Sequence, residues 1–216
     1  MSQNILSKNQ KTAVDFISNE PKLADFYLSG GTALANYYLQ HRFSDDLDFF
    51  ISKKPDIIFL RNFTNNLKEK LNAKELRYER LYDRNQFFFI KDDEELKIEF
   101  TKYPFKQLNP TMHQDGIKID SLRDIAANKL FTILDRFDPK DFVDLFFIFQ
   151  KLDFENVRND AENKFNTKID NVFLGGELMK VKRIVALPKM IKPITIEELN
   201  NFFNKLAQKL AFNILE

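Results

Sequence analysis

The sequence predicts an α+β protein: a mixed sheet with flanking helices, followed by an α-helical C-terminal region. Three observations lead there. Short apolar runs of period two, "LDFFI", "QFFFI" and "LKIEF", all fall before residue 119. From Ser121 onward the apolar spacing is helical. Between the two regimes lie Pro110 and Gly116, so the expected domains are an α/β core over 1–119 and a helical domain over 120–216.

In chain order, "FYL" at 26–28 reads as a strand, "SGG" as a turn, and Thr32 to Gln40 as an amphipathic helix. The strand "LDFFI" follows, then a helix over roughly 56–72. Three strands, "ELRYERLY", "QFFFI" and "LKIEF", come next, the last two joined across "KDDEE" as an antiparallel meander. In the second half, Ser121 with Asp124 three residues on resembles a helix N-terminus, and Thr195 with Glu198 forms a capping-box pattern before a long apolar-periodic run. Lys140 and Asp144, four apart, read as a helical ion pair.

Composition narrows the function. At 216 residues with 44% apolar content and 24 Phe, the chain can fill a core. The absence of Cys and of a signal-peptide pattern gives the expectation of a cytoplasmic protein. The longest apolar runs, such as "LFFIF" at 145–149, fall far short of a membrane span, so no membrane partner is expected. The 33 basic and 32 acidic residues balance to +1, so a charged partner must meet a local patch. One such patch exists. Residues 178–194 carry Lys180, Lys182, Arg183, Lys189 and Lys192 with no acid, which reads either as a solvated face or as a phosphate-tracking RNA surface.

The chemistry-bearing residues cluster at the front of the chain. Gly30 and Gly31 permit a sharp turn and close backbone approach to a ligand, and the helix opening at Thr32 aims unpaired N–H groups at that turn, as an anion would require. A tight strand-to-helix turn would use the same glycines. Asp46 and Asp48, two apart on a strand, project on one face while Leu47, Phe49 and Ile51 face a core. Two carboxylates so close call for solvent or a cation, and hard oxygen donors suit Mg²⁺. Glu99 projects from the polar face of "LKIEF" and supplies a third carboxylate if that strand lies beside "DLDFFI". Arg42, just before Asp46, is placed to touch a phosphate; His41 reads as a helix C-terminal residue. Neither His41 nor His113 belongs to a zinc or Ser-His-Asp constellation.

Gly30-Gly31-Thr32, the block "HRFSDDLDFF" and the downstream "DIAANKLFTILDRFDPKDFVDLFFI" together resemble the AbiEii/AbiGii toxin family, a branch of the nucleotidyltransferase superfamily with a polymerase β-like fold. The resemblance spans about residues 26–150. It implies nucleotide binding at Gly30, Gly31 and Thr32, metal binding by Asp46, Asp48 and Glu99, and further site residues at Asp124, Lys129 and Asp141. Thr32 stands where the wider superfamily has Ser, and Glu99 where Asp is common. The implied activity is transfer of an NMP from an NTP to an acceptor hydroxyl, with two Mg²⁺ ions and with the helical domain completing the site. The implied partners are tRNA or another RNA acceptor and a cognate antitoxin. An adenylyltransferase acting on a small molecule or protein, or a nucleotide- or partner-binding module with a decayed site, stays open at this point.

Overall fold

The computed structural model describes residues 5–212. The chain divides into two compact units, one formed by Met1–Tyr38, Ser44–Lys106 and Pro110–Ser121, the other by Leu39–Phe43, Gln107–Asn109 and Leu122–Glu216.

The first unit is built on a seven-stranded sheet. Its strands are β1 (Tyr27–Ser29), β2 (Leu47–Ile51), β3 (Glu75–Leu81), β4 (Arg84–Lys91), β5 (Glu94–Lys102), β6 (Met112–Gln114) and β7 (Ile117–Ile119), in the order β3-β4-β5-β2-β1-β7-β6. β3, β4 and β5 form the expected antiparallel meander. The β2–β5 and β1–β7 pairs are parallel, so the sheet is mixed. Alternation does the rest: Leu47, Phe49 and Ile51 on β2, Phe87 and Phe89 on β4, and Leu96, Ile98 and Phe100 on β5 are buried. Phe100 is the hub, stacked on Phe49 at 5.6 Å and edge-on to Phe26 and Phe87. Two helices, α1 (Lys8–Ser18) and α3 (Ile57–Leu71), add Ala13, Val14, Ile17, Leu60, Phe63 and Leu67 to this core. Each of these side chains larger than Ala13 contributes about 1.5–3 kcal/mol.

Two elements lay outside the expectation. Helix α1 opens with a full capping box, Ser7 and Gln10 satisfying each other's backbone N–H groups. The β6–β7 hairpin turns on Asp115 and Gly116, both at positive φ, as a two-residue turn matched to strand twist requires. A third differs in kind. The helix after the glycine turn is α2 (Gly30–Ala33), which widens into π-helical Leu34–Leu39 rather than running as one α-helix to Gln40.

The second unit is helical, with α4 (Leu122–Asp135), α5 (Pro139–Ile148), α6 (Phe154–Phe165), α7 (Asn171–Met179) and α8 (Ile196–Phe212). The Thr195–Glu198 capping box before α8 forms as the sequence indicates. Leu39–Phe43 joins this unit from the first half of the sequence: Phe43 N–H bonds to Lys189 O, and the Ile191 and Lys192 amides donate to His41 O. No helix among the described residues is long and apolar enough to cross a membrane.

Candidate active site

In the α/β unit the parallel pairing of β2 with β5 sets Asp48 opposite Glu99. The antiparallel pairing of β4 with β5 sets Gln86 opposite Glu99 and Arg84 opposite Thr101. Side-chain alternation then places Asp48, Glu99, Thr101, Lys97, Arg84 and Gln86 on one polar face, opposite the Phe100 core. Glu99 is the most enclosed of them, 2% exposed. Arg84 grips it with a two-nitrogen fork at 2.7 and 2.8 Å, Gln86 Nε2 donates at 2.8 Å and Thr101 Oγ1 at 2.5 Å. Burial works against the Glu99 charge, but the Arg84 fork, Thr101 and Gln86 outweigh it, so its pKa lies below the ordinary glutamate value.

Asp48 is held differently. Among the described residues no donor hydrogen-bonds its carboxylate, and burial together with the neighbouring Glu99 charge pushes its pKa up to about 6. Its carboxylate lies against the Cα of Gly30. A Cβ on Gly30 would come within 2.5 Å of Asp48 Oδ2, and Gly30 adopts φ +69°. Only glycine meets both conditions without strain, which is why the strand-to-helix turn carries one there. Thr32, 2% exposed, donates its hydroxyl to Asp46 O and so pins the entry to β2. The Asp46 carboxylate meets Lys97 Nζ at 2.7 Å. Ser29, opposite Asp48 in register, donates to buried Asp120 at 2.7 Å.

This donor set fits a hard divalent cation at Asp46 and Asp48. Asp48 keeps an unsatisfied, destabilised carboxylate, and the half-exposed Asp46 carboxylate beside it is held by Lys97, which a cation would have to displace. No group of three or more His, Asp or Glu among the described residues gathers at metal-ligand spacing. Mg²⁺ commonly uses one or two protein carboxylates and completes its shell with water and phosphate oxygens.

The remaining residues singled out in the sequence lie in the helical unit, in two clusters. Asp144, fully buried on α5, is the centre of the first: Arg42 donates Nε at 2.7 Å and Nη2 at 2.8 Å, His41 Nε2 lies at 2.7 Å, and Lys129 Nζ at 2.7 Å. Lys129 also reaches Asp141 at 2.7 Å, and Arg136 reaches Asp141 at 3.2 Å. Burial favours the neutral acid, yet Lys129 and Arg42 hold Asp144 far below the usual carboxylate range. Burial lowers the His41 pKa despite Asp144, which leaves the ring neutral, and its Nδ1 is buried without a partner among the described residues. Arg42 is 2% exposed, with its third nitrogen on Phe43 O. The Lys140–Asp144 helical pair is corrected: Asp144 points inward to the Arg42 and Lys129 cations and the His41 ring, while Lys140 is exposed.

Asp124, 0% exposed, centres the second cluster. Its carboxylate accepts from the Leu108 and Asn109 amides and from Lys164 Nζ at 2.7 Å. Of the basic run, Lys182, Arg183, Lys189 and Lys192 are exposed. Arg183 lies over Phe137, Lys189 over Phe43 and Lys192 over Phe147, and Lys180 pairs with Glu177. The residues whose place in these clusters sequence reasoning missed are Arg84, Gln86, Lys97 and Asp144, the last read only as a partner of Lys140. The first three were readable in principle, since period two puts Arg84 and Gln86 on one face of β4, and Lys97 and Glu99 on one face of β5.

Comparison with known proteins agrees with this architecture. An uncharacterized protein of Aquifex aeolicus is 36% identical over 148 residues, 68% of each chain. JHP933 from Helicobacter pylori superposes with a TM-score of 0.61 at 22% identity, covering 95% of this chain and 90% of that one. The nucleotidyltransferase toxin MenT4 from Mycobacterium tuberculosis gives 0.53 at 13% identity over 95% of this chain and 86% of its own. The family model for the nucleotidyl transferase AbiEii toxin of type IV toxin–antitoxin systems matches residues 14–213. A match of that extent makes this chain a member of the AbiEii nucleotidyltransferase toxin family.

Proposed function

We propose that the chain transfers an NMP from an NTP to an acceptor hydroxyl on RNA, with a tRNA 3′ end as the acceptor, and that the reaction centre is the polar face around Asp46 and Asp48. The observation that carries this reading is the packing of the Asp48 carboxylate onto the Gly30 turn, at a distance no other residue allows. It joins the two parts that phosphoryl chemistry needs, a backbone able to approach phosphate oxygens and a carboxylate pair able to hold Mg²⁺.

A divalent ion bound at Asp46 and Asp48 would supply charge neutralisation of the phosphate oxygens. The chain's own groups do the rest. The Gly31 and Thr32 amides, at the open end of α2, orient the triphosphate. Glu99 is the third acidic group, and Arg84, Gln86 and Thr101 fix its position and hold it ionised. The acceptor oxygen forms a bond to the α-phosphorus, the α–β phosphoanhydride bond breaks, pyrophosphate leaves, and the hydroxyl proton passes to solvent. The exposed cations Lys182, Arg183, Lys189 and Lys192 track the acceptor's phosphates without reading sequence. In the helical unit, Lys129 and Arg42 act through Asp144 and Asp141, and Asp124 by fixing the Leu108–Asn109 backbone. The antitoxin implied by the family and a cytoplasmic location belong to the same reading.

The test is pyrophosphate release from each of the four NTPs with Mg²⁺, with and without total tRNA. Release with one NTP that requires tRNA is expected. Release that is indifferent to tRNA points to a different acceptor, and no release with any NTP overturns the reading.

A further inference from the structure

The family resemblance implies metal binding by Glu99, yet the Glu99 carboxylate has no acceptor capacity left for an ion. Its Oε1 accepts from Arg84 Nε at 2.7 Å and from Thr101 Oγ1 at 2.5 Å, and its Oε2 accepts from Arg84 Nη2 and Gln86 Nε2, each at 2.8 Å. An ionised carboxylate offers about four lone-pair sites, and all are taken. Nor, among the described residues, does a third acid gather with Asp46 and Asp48 at metal-ligand spacing. A purely structural role does not explain the charge either. The Glu99 charge destabilises the ionised form of Asp48, whereas a neutral Gln could accept from Arg84 or Thr101 without that repulsion. What only the carboxylate supplies is the two-nitrogen fork that fixes the plane of the Arg84 guanidinium.

Arg84 itself is half-spent. Its side chain is 42% exposed, the fork uses Nε and Nη2, and Nη1 has no partner among the described residues. The second edge of the guanidinium is thus available to another anion. The sheet says which one. Gln86, Glu99, Asp48 and Ser29 form one row across β4, β5, β2 and β1. Gly30 follows Ser29 and meets Asp48 from the β1 side, so a triphosphate held at that turn lies on one flank of Asp48. The Glu99–Arg84 pair lies on the other flank, one to two strand spacings of about 4.8 Å away. In-line displacement puts the leaving pyrophosphate and the attacking oxygen on opposite sides of the α-phosphorus, so the acceptor enters over β5 and β4. Lys97, on the same strand as Glu99, is committed to Asp46. In an inference that rests on transfer to RNA, we propose that Glu99 is a positioning residue rather than a metal ligand, and that it aims Arg84 at a phosphodiester next to the acceptor's terminal hydroxyl.

Two binding measurements on the full chain test this without turnover. The double variant Arg84→Gln with Glu99→Gln removes the ion pair at constant net charge. In a Mn²⁺ titration followed by water-proton relaxation it should bind within about twofold of the wild type, while Asp48→Asn loses binding. A loss of about tenfold or more in the double variant makes Glu99 a ligand and overturns the proposal. The acceptor side is read by filter binding of total tRNA, intact or trimmed of its 3′-terminal nucleotides by exonuclease. The double variant should bind intact tRNA about tenfold more weakly, with a salt slope shallower by roughly 0.7, and should bind trimmed tRNA as the wild type does. Arg84→Lys, which keeps the charge and breaks the fork, should recover only part of the loss. Unchanged binding of intact tRNA, or an equal loss for intact and trimmed tRNA, overturns the proposal. If the double variant fails to fold, Glu99→Gln repeats the Mn²⁺ titration and Arg84→Lys the tRNA series, with the same outcomes decisive. A wild-type chain that releases pyrophosphate from no NTP overturns the transfer reading and the Arg84 assignment with it, and the Mn²⁺ titration still decides Glu99.

Discussion

Replacing Asp48 by Asn separates the stability of the α/β unit from its activity. In the folded state burial and the Glu99 charge raise the Asp48 pKa from 3.8 to about 6. A raised acid pKa means that the folded state retains a proton the unfolded chain has released, so stability falls as pH climbs from about 4 to about 6 and is level above that. Two pKa units correspond to about 3 kcal/mol. Asp48 is partly exposed and shares its shift with Glu99, so about 1–2 kcal/mol is the expected net burden at pH 7. Asp48→Asn removes it. Urea melts in EDTA across pH 3.5–7.5 should show the variant level with the wild type near pH 4 and more stable by that amount at pH 7, and thermal melts at pH 7 a rise of roughly 2–8 °C in Tm. Added Mg²⁺ should stabilise the wild type and leave the variant unchanged. Transferase activity should vanish. A variant that is less stable at pH 7, or a gain independent of pH, refutes the electrostatic reasoning.

Three other substitutions test separate parts of the molecule. Gly30→Ala forces a Cβ to 2.5 Å from Asp48 Oδ2 at φ +69°, and should lower transfer about a hundredfold through displacement of Asp48; wild-type kinetics would show that the carboxylate position is immaterial. Asp144→Ala leaves Arg42 and Lys129 buried without their shared partner and should cost about 3–5 kcal/mol in urea melts. Because the Asp144 pKa is depressed, its contribution is present above about pH 4 and is lost as pH falls further, so a penalty that persists undiminished well below that pH would contradict the assignment. Replacing Lys182, Arg183 and Lys189 by Glu should weaken RNA binding for all sequences and flatten its salt dependence by roughly 0.7–0.9 log units per lost contact; unchanged filter binding over a salt series would place the RNA surface elsewhere.

The alternation of β2 and β5 made the polar face legible from residue types alone, because a strand has only two faces and Leu47, Phe49, Ile98 and Phe100 claim one of them. What alternation cannot supply is register between strands. The Arg84 fork on Glu99 depends on the β4–β5 turn, and a slip of one residue would have sent Arg84 to the core side. Helix α1 and the Asp115–Gly116 hairpin carry local signals, a capping box and an Asp-Gly turn, but the two hairpin strands are three residues each, too short for alternation to show. The Asp144 cluster had no local signal. His41 and Arg42 lie about a hundred residues from Asp144, and spacing on α5 alone favoured the i,i+4 neighbour Lys140. Long-range ion pairs of this kind depend on tertiary packing, which helix periodicity does not encode.

The proposed function requires that the α–β bond of an NTP is broken at Asp46 and Asp48 and that the α-phosphorus is retained on RNA. Parallel incubations of total tRNA with α-³²P and γ-³²P forms of each NTP test it directly. The wild-type chain should label RNA from the α-labelled nucleotide and not from the γ-labelled one, and Asp46→Asn and Asp48→Asn should label neither. Label entering RNA from the γ-phosphate, or α-label incorporated equally by the two variants, would contradict the claim.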